Sequence, residues 1–247
     1  MELMQRTWQR GMPGQVRISL EVSQGTQSNQ NNHKRPVTNT QNSSFITRDD
    51  FENMKSAGLN AIRIPIGYWA VEVHSDEPYV AGQYPYLIQA VQWSSEFGFQ
   101  VMIDLHGAPG SQNGQDNSGL IGPVLFPSNS SNSDRSLDVL RNLTEEFSQD
   151  VYAGAVTAIE LLNEPRLDDD NFPMSQLKDF YNNGVEVVSG TSDISNPIDI
   201  VVHGKSLETS IPSETKLTQQ RRQTPSGAHR IGPPTTLSPT APSQNQL

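Results

Sequence analysis

The amino-acid sequence predicts an α/β fold built from parallel βαβ units. Three observations predict it. Short apolar runs alternate four times with segments of helical periodicity. Each run is five or six residues long and apolar nearly throughout, as strands buried on both faces are. Each run also leads at once into polar residues, first Arg63, then His106, then Asn163-Glu164, then His203. In parallel α/β folds the C-terminal strand ends are where chemistry gathers.

Taken in order, Thr47-Arg48-Asp49-Asp50 opens a helix in the manner of a capping box, and Phe51, Met54 and Lys55 continue it to Gly58. Residues 60–64 read as a buried strand halted by Pro65. A helix over 86–97, with Leu87, Ala90, Val91 and Ser94 inward, ends at Gly98. Residues 100–105 form the second strand, and a Gly/Asn/Ser/Pro loop runs from 106 to about 132. The spacing of Leu137, Leu140, Leu143 and Phe147 predicts a helix over 136–152. A third strand covers 158–162, a helix carrying Leu177, Phe180, Tyr181, Gly184 and Val188 covers 175–189, and a fourth strand covers 198–202.

Composition divides the chain. Apolar residues are 34% of the whole, below the roughly 45–50% of ordinary globular chains. The deficit sits at the ends. Residues 23–41 are almost all Gln, Asn, Thr, Ser and Lys/Arg, and 206–247 are rich in Pro, Ser, Thr and Gln with no aromatic residue. Such stretches cannot bury enough apolar surface to offset their ordering entropy. The expected organisation is therefore a divergent, poorly ordered segment 1–44, a folded region 45–204, and a disordered low-complexity tail 205–247. The break after residue 204 is the kind that a shifted reading frame or retained non-coding sequence leaves.

A net charge of −10 argues against a nucleic-acid partner, since that recognition needs a basic face. With no cysteine there is neither a disulfide framework nor a thiolate metal site. The first residues lack the apolar core of a secretory signal, and no apolar run is long enough to span a membrane. The sequons at Asn42, Asn129 and Asn142 read as chance occurrences.

The chemistry rests on one short word. Glycoside cleavage needs a proton donor for the leaving oxygen and a second carboxylate across the sugar. Glu164 ends an apolar strand between Asn163 and Pro165. A carboxyl half buried there would be pushed up by desolvation, which suits a general acid. Asn163 would offer its amide to a sugar hydroxyl.

Ile159-Glu160-Leu161-Leu162-Asn163-Glu164-Pro165 resembles the acid/base strand of family 5 glycoside hydrolases. Arg63-Ile64-Pro65-Ile66-Gly67-Tyr68-Trp69 resembles the exo-1,3-β-glucanase branch of that family, as does Asp104-Leu105-His106-Gly107-Ala108-Pro109-Gly110-Ser111-Gln112-Asn113-Gly114, extended by Asp116-Asn117-Ser118-Gly119. The resemblance decides between a barrel and an open doubly wound sheet, which periodicity leaves open. It implies an incomplete (β/α)₈ TIM barrel of about four βα units, since a whole barrel takes roughly 250 residues.

The resemblance further implies hydrolysis of β-1,3-glucosidic bonds by a retaining mechanism, on a β-1,3-glucan or related oligosaccharide. It implies no cofactor and no metal, and an extracellular or cell-wall location. Glu164 would be the acid/base, Asn163 would bond the sugar 2-hydroxyl, Arg63 would orient the nucleophile, and His106 and Asn117 would line the first glucose subsite. His203 stands at the matching strand end as a further substrate-binding candidate. The family's Gly-Glu-Trp nucleophile word is absent, and the only glutamates after the last strand are Glu208 and Glu214 in the polar tail. Gln115 stands where the resembling proteins carry an aromatic. These departures leave a second expectation open, a catalytically inactive, truncated remnant that at most binds glucan. Glu160, on the same strand face as Glu164, reads as an interior carboxylate paired with a base. Asp168-Asp169-Asp170 reads as a solvated loop, and His33, His74 and His229 lie in polar contexts without a signal.

Overall fold

A computed structural model of the chain describes residues 15–17, 46–152, 154–167, 171–191 and 196–202. Five strands form one sheet: β1 (Gln15–Arg17), β2 (Ala61–Gly67), β3 (Gln100–Gly107), β4 (Val156–Glu160) and β5 (Asp199–Val201). All pairings are parallel and the spatial order is β1-β2-β3-β4-β5. A doubly wound sheet reverses its order at a switch point. Here every strand lies beside its predecessor in the chain, so the sheet winds in one sense, as a (β/α)₈ barrel does. Between the strands run α1 (Arg48–Ser56), α2 (Tyr84–Glu96), α3 (Ser130–Phe147) and α4 (Met174–Thr191).

The pairing register sorts the strand residues by face. Ile62, Ile64, Ile66, Val101, Ile103, Leu105 and Ile159 share one face and are all buried to 1% exposure or less. The opposite face carries Arg63, Met102, Asp104, Ala158 and Glu160, with His106 two residues beyond Asp104. One face is thus a continuous aliphatic layer. The other is polar toward the strand C-termini. Alternation at period two is what separates an apolar core from a charged interior along the same short strands.

Several elements differ from expectation. β1 lies inside the segment 1–44, where three residues pair with Ala61–Arg63 of β2. A signal for it is present in the sequence, since Val16, Ile18, Leu20 and Val22 alternate with polar residues just before the polar stretch 23–41, but the composition of the whole segment masks it. Pro65 does not halt β2, which continues to Gly67. β1 covers β2 only as far as Arg63, so Pro65 lies where that side carries no ladder among the described residues, and a proline is tolerated there. The helix expected over 136–152 begins at Ser130 and ends at Phe147, with a separate 3₁₀ turn at Asp150–Tyr152. Its first turn is all polar, so no apolar period announced it. The Asn129 side chain starts it by accepting from the Ser131 N–H at 3.0 Å. β4 ends at Glu160, placing Leu161 and Leu162 beyond the strand. The capping box at Thr47 is present, with the Thr47 N–H donating to the Asp50 carboxylate at 2.8 Å. Gly98 closes α2 at φ +66°. His203 and the tail 205–247 lie outside the described residues.

Candidate active site

The polar face of the sheet converges at the C-terminal strand ends on one cation. The Arg63 side chain, 15% exposed, reaches from its level on β2 to the acids one layer higher on β3 and β4. Its Nη2 lies 2.8 Å from Asp104 Oδ2, donates to Glu160 Oε2 at 2.9 Å, and donates to Asn163 Oδ1 at 2.9 Å. Nε adds a second bond to Glu160 Oε2 at 3.1 Å. Burial disfavours the guanidinium charge, yet Asp104 and Glu160 outweigh it and raise the Arg63 pKa above its ordinary value. The expectation that Glu160 is an interior carboxylate held by a base agrees with this geometry.

Asp104 is fully buried and serves two donors with one oxygen. Oδ2 faces both Arg63 and, at 2.6 Å, His106 Nδ1, while Oδ1 has no partner among the described residues. Burial, then the neighbouring Glu160 carboxylate, push the Asp104 carboxyl up, against the pull of His106 and Arg63.

The strand ends are tied together by Gln112, a fully buried residue of the β3–α3 loop. Its Nε2 donates to the carbonyls of His106 at 2.7 Å and Asn163 at 2.9 Å, and its Oε1 accepts from the Ala108 N–H at 3.1 Å. The Asn163 N–H in turn donates to the Leu105 carbonyl at 3.0 Å. Both N–H donors of one side-chain amide thus bridge the β3 end and the segment after β4, and its oxygen adds a third bond to the β3 end. Gln112 belongs to a word quoted from the sequence, but nothing in its spacing marks it as the clamp.

Beyond this frame, Asn163 is 2% exposed and its Nδ2 has no partner among the described residues. Glu164 follows with φ +45°, a left-handed conformation that non-glycine residues adopt at a cost of roughly 1–3 kcal/mol and mostly at functional sites. Its Oε2 accepts from Asn117 Nδ2 at 3.1 Å. Glu164 is exposed, where a half-buried carboxyl was expected. It sits past the strand, on a segment that turns outward at the positive φ, and so lacks the enclosure a place in the strand would have provided. The structure thus brings together Arg63, His106, Asn117, Asn163 and Glu164.

Trp69 and Tyr68 are buried rather than facing a cleft. The Trp69 indole stacks on Tyr79 at 4.1 Å, and Gly67, Gly107 and Gly119 press against it so closely that a Cβ at any of them would overlap the ring. Trp69 therefore joins the ends of β2 and β3 to the loop bearing Asn117. Among the described residues no group of three His, Cys, Asp or Glu side chains could hold a metal ion, and no helix is long and apolar enough to cross a membrane.

This arrangement has relatives. The Cellulase (glycosyl hydrolase family 5) profile matches residues 22–230, wider on both sides than the region 45–204 marked by the sequence words. The chain belongs to glycosyl hydrolase family 5. A probable glucan 1,3-beta-glucosidase A of Aspergillus fumigatus is 49% identical over 146 residues, 59% of this chain and 34% of that protein. A glucan 1,3-beta-glucosidase of Kluyveromyces lactis is 43% identical over 162 residues, 65% of this chain and 37% of that protein. The chain thus spans about a third of the length of these family 5 relatives. Among solved structures, a rutinosidase from Aspergillus niger superimposes with a TM-score of 0.60 at 20% identity, covering 68% of this chain and 50% of that one. A family 5 lichenase from Caldicellulosiruptor sp. F32 does so at 0.51 and 18% identity, over 76% and 52%. At such identities the likeness concerns the fold, and the fold is the barrel.

Proposed function

We propose that this family 5 chain carries the acid/base side of a site that hydrolyses β-1,3-glucosidic bonds of glucans by the retaining route, with Glu164 as the acid/base. The observation that carries the reading is the buried Asn163 beside it. Arg63 and Gln112 hold this residue while its amide N–H has no partner among the described residues. A buried donor left open costs about 1–3 kcal/mol. Such a group is accounted for by a ligand oxygen that completes it, here a sugar hydroxyl.

His106, bonded to Asp104, and Asn117, bonded to Glu164, complete the polar set, and Arg63 holds Asp104 and Asn163. The names of the relatives, glucan 1,3-beta-glucosidases, support β-1,3-glucan or a related oligosaccharide as the partner and an extracellular or cell-wall setting. Retention requires a nucleophilic carboxylate about 5–5.5 Å from the acid/base. Asp104 and Glu160 are both committed to Arg63 in the interior, so neither is assigned that task, and no nucleophile is assigned among the described residues. The same open amide therefore supports a second reading, glucan binding without turnover.

Calorimetric titration with laminaritriose and glucose release from laminarin test both readings. The expected outcome is saturable binding, weakened about tenfold by His106→Ala, the loss of one good hydrogen bond to a sugar, with release near background. A folded chain that binds no laminaritriose would sink both readings. Turnover abolished by Glu164→Gln would reject the binding-only reading and require a second carboxylate within this chain.

A further inference from the structure

Asp104 is the buried titratable group for which glycosidic chemistry has no direct use. It does not face the acid/base. It leaves one oxygen unpartnered among the described residues, an arrangement that stability alone would not favour. Its other oxygen receives two groups at once, the Arg63 guanidinium at 2.8 Å and His106 Nδ1 at 2.6 Å. Arginine has only donors, so Oδ2 must act as an acceptor toward it. A carboxylic hydroxyl oxygen is a poorer acceptor than a carboxylate or carbonyl oxygen, so the arrangement that best serves the Arg63 donor keeps the proton off Oδ2 and on the histidine nitrogen, as Nδ1–H···Oδ2. This holds whether Asp104 is ionised or carries its proton on Oδ1, since Oδ2 keeps its lone pairs in either case.

We propose that Asp104 is a positioning residue that fixes His106 in the Nδ1–H tautomer and so makes Nε2 the lone-pair nitrogen, an acceptor for a sugar hydroxyl rather than a donor. The geometry is well suited to this. Asp104 and His106 are two residues apart on β3, and their side chains meet at 2.6 Å, with His106 at the bulge where the β2–β3 register shifts. The His106 carbonyl is held by Gln112 at 2.7 Å, and Asp104 is anchored from the far side by Arg63. The Asp104 carboxyl cannot turn without also releasing Arg63, and the Gln112 bond fixes the backbone from which the His106 ring extends. The logic is that of a carboxylate behind an imidazole, which sets which nitrogen is protonated and which faces the ligand. For the ligand it has a consequence. A neutral His106 of this tautomer selects a hydroxyl that can donate, and it discriminates against a sugar whose matching position is deoxygenated or methylated.

The inference rests on the glucan reading only for the identity of the ligand, and one experiment separates the two. Long-range ¹H–¹⁵N correlation on the ¹⁵N-labelled chain, followed over a pH series, reports the protonation of each ring nitrogen, and two pyrrole-type nitrogens throughout would overturn the acceptor role of Nε2. The expected spectrum has a pyrrole-type Nδ1 and a pyridine-type Nε2 for His106. In Asp104→Ala that pattern is lost in favour of the Nε2–H form that free histidine prefers, with the backbone spectrum confirming that the variant is folded. A pyridine-type Nδ1 in the wild type overturns the role of Asp104, and it does so even if the variant fails to fold. Adding laminaribiose should move the Nε2 resonance. A wild type with the expected tautomer and an unmoved Nε2 overturns the glucan reading and leaves the tautomer assignment standing.

Discussion

Two polar clusters in this chain use their carboxylates differently. In the strand-end cluster, one cation faces two interior carboxylates, and Asp104 Oδ1 and Asn163 Nδ2 have no partner among the described residues. In the cluster under the β2–α2 loop, the Glu77 carboxylate is fully used. It accepts from Tyr68 Oη at 2.7 Å, from Arg135 Nη1 at 2.8 Å and Nη2 at 3.2 Å, and from the His74 N–H at 2.8 Å. Arg135 also lies over the Tyr68 ring at 5.0 Å, adding a cation–π contact. The second cluster fastens a loop to α3. The first ties the ends of β2, β3 and β4 together and leaves two polar atoms without a partner among the described residues. The difference lies in the acids: both Glu77 oxygens are bonded, whereas Asp104 keeps one oxygen without a partner among the described residues. Arg135 Nε, 3.6 Å from Glu72, also lacks a hydrogen bond there, so the contrast concerns the carboxylates and not every member of the two clusters.

Breaking the strand-end cluster should cost most. Arg63→Met removes the guanidinium that faces both Asp104 and Glu160 and leaves these buried acids without that charge. Loss of one partner from such a buried arrangement costs about 3–5 kcal/mol. A denaturant titration would measure it, and a loss under about 1 kcal/mol would mean that water already screens these acids.

The aromatic floor between the two clusters gives a smaller effect. At Gly107 an added Cβ would lie 2.8 Å from both the Trp69 ring and the Ser118 carbonyl. The ring is pinned by its stack on Tyr79, so it has little room to move. Gly107→Ala should cost about 1–3 kcal/mol by overpacking. It should also weaken laminaritriose binding more than Arg135→Met does, because the displaced loop carries Asn117. Equal effects on binding would remove the link between Trp69 and the site.

The smallest effect, about 1.5 kcal/mol for hydrogen bonds to a charged group, is expected for Glu77→Gln, and its pH dependence sharpens the contrast. Burial pushes the Glu77 carboxyl up, but Arg135, the His74 N–H and Tyr68 together hold it below its ordinary value. Its stabilisation is therefore present above the unfolded value, near roughly 4.3, and fades as pH falls through the lower folded pKa. The gap between wild type and Glu77→Gln should close in acid. Asp104 is raised instead. Its native state keeps a proton that the unfolded chain has released above roughly 3.9, so wild type should lose ground to Asp104→Ala as pH rises. Thermal unfolding across pH measures both, and slopes of the same sign would erase the distinction.

The sequence by itself determined the fold class, the order of the four βα units and the neighbourhood of Glu164. Apolar runs at strand length and helical spacing are local properties, and the long words around Arg63, His106 and Asn163-Glu164-Pro165 carry their own order. The early start of α3 was not legible, because a capped polar first turn has no apolar period. β1 was legible in the alternation of Val16, Ile18, Leu20 and Val22 but was hidden by the polar composition of the segment as a whole. What tertiary structure decided is which side chains meet. The meeting of Arg63 with Asp104 and Glu160 depends on the parallel register of three strands, across sequence distances at which no spacing rule operates. The clamp by Gln112 depends on a loop folding back under two strand ends. Exposure of Glu164 depends on one backbone torsion. Glu164 could be named from its word, but the open amide beside it and the carboxyl behind His106 belong to the packed sheet alone.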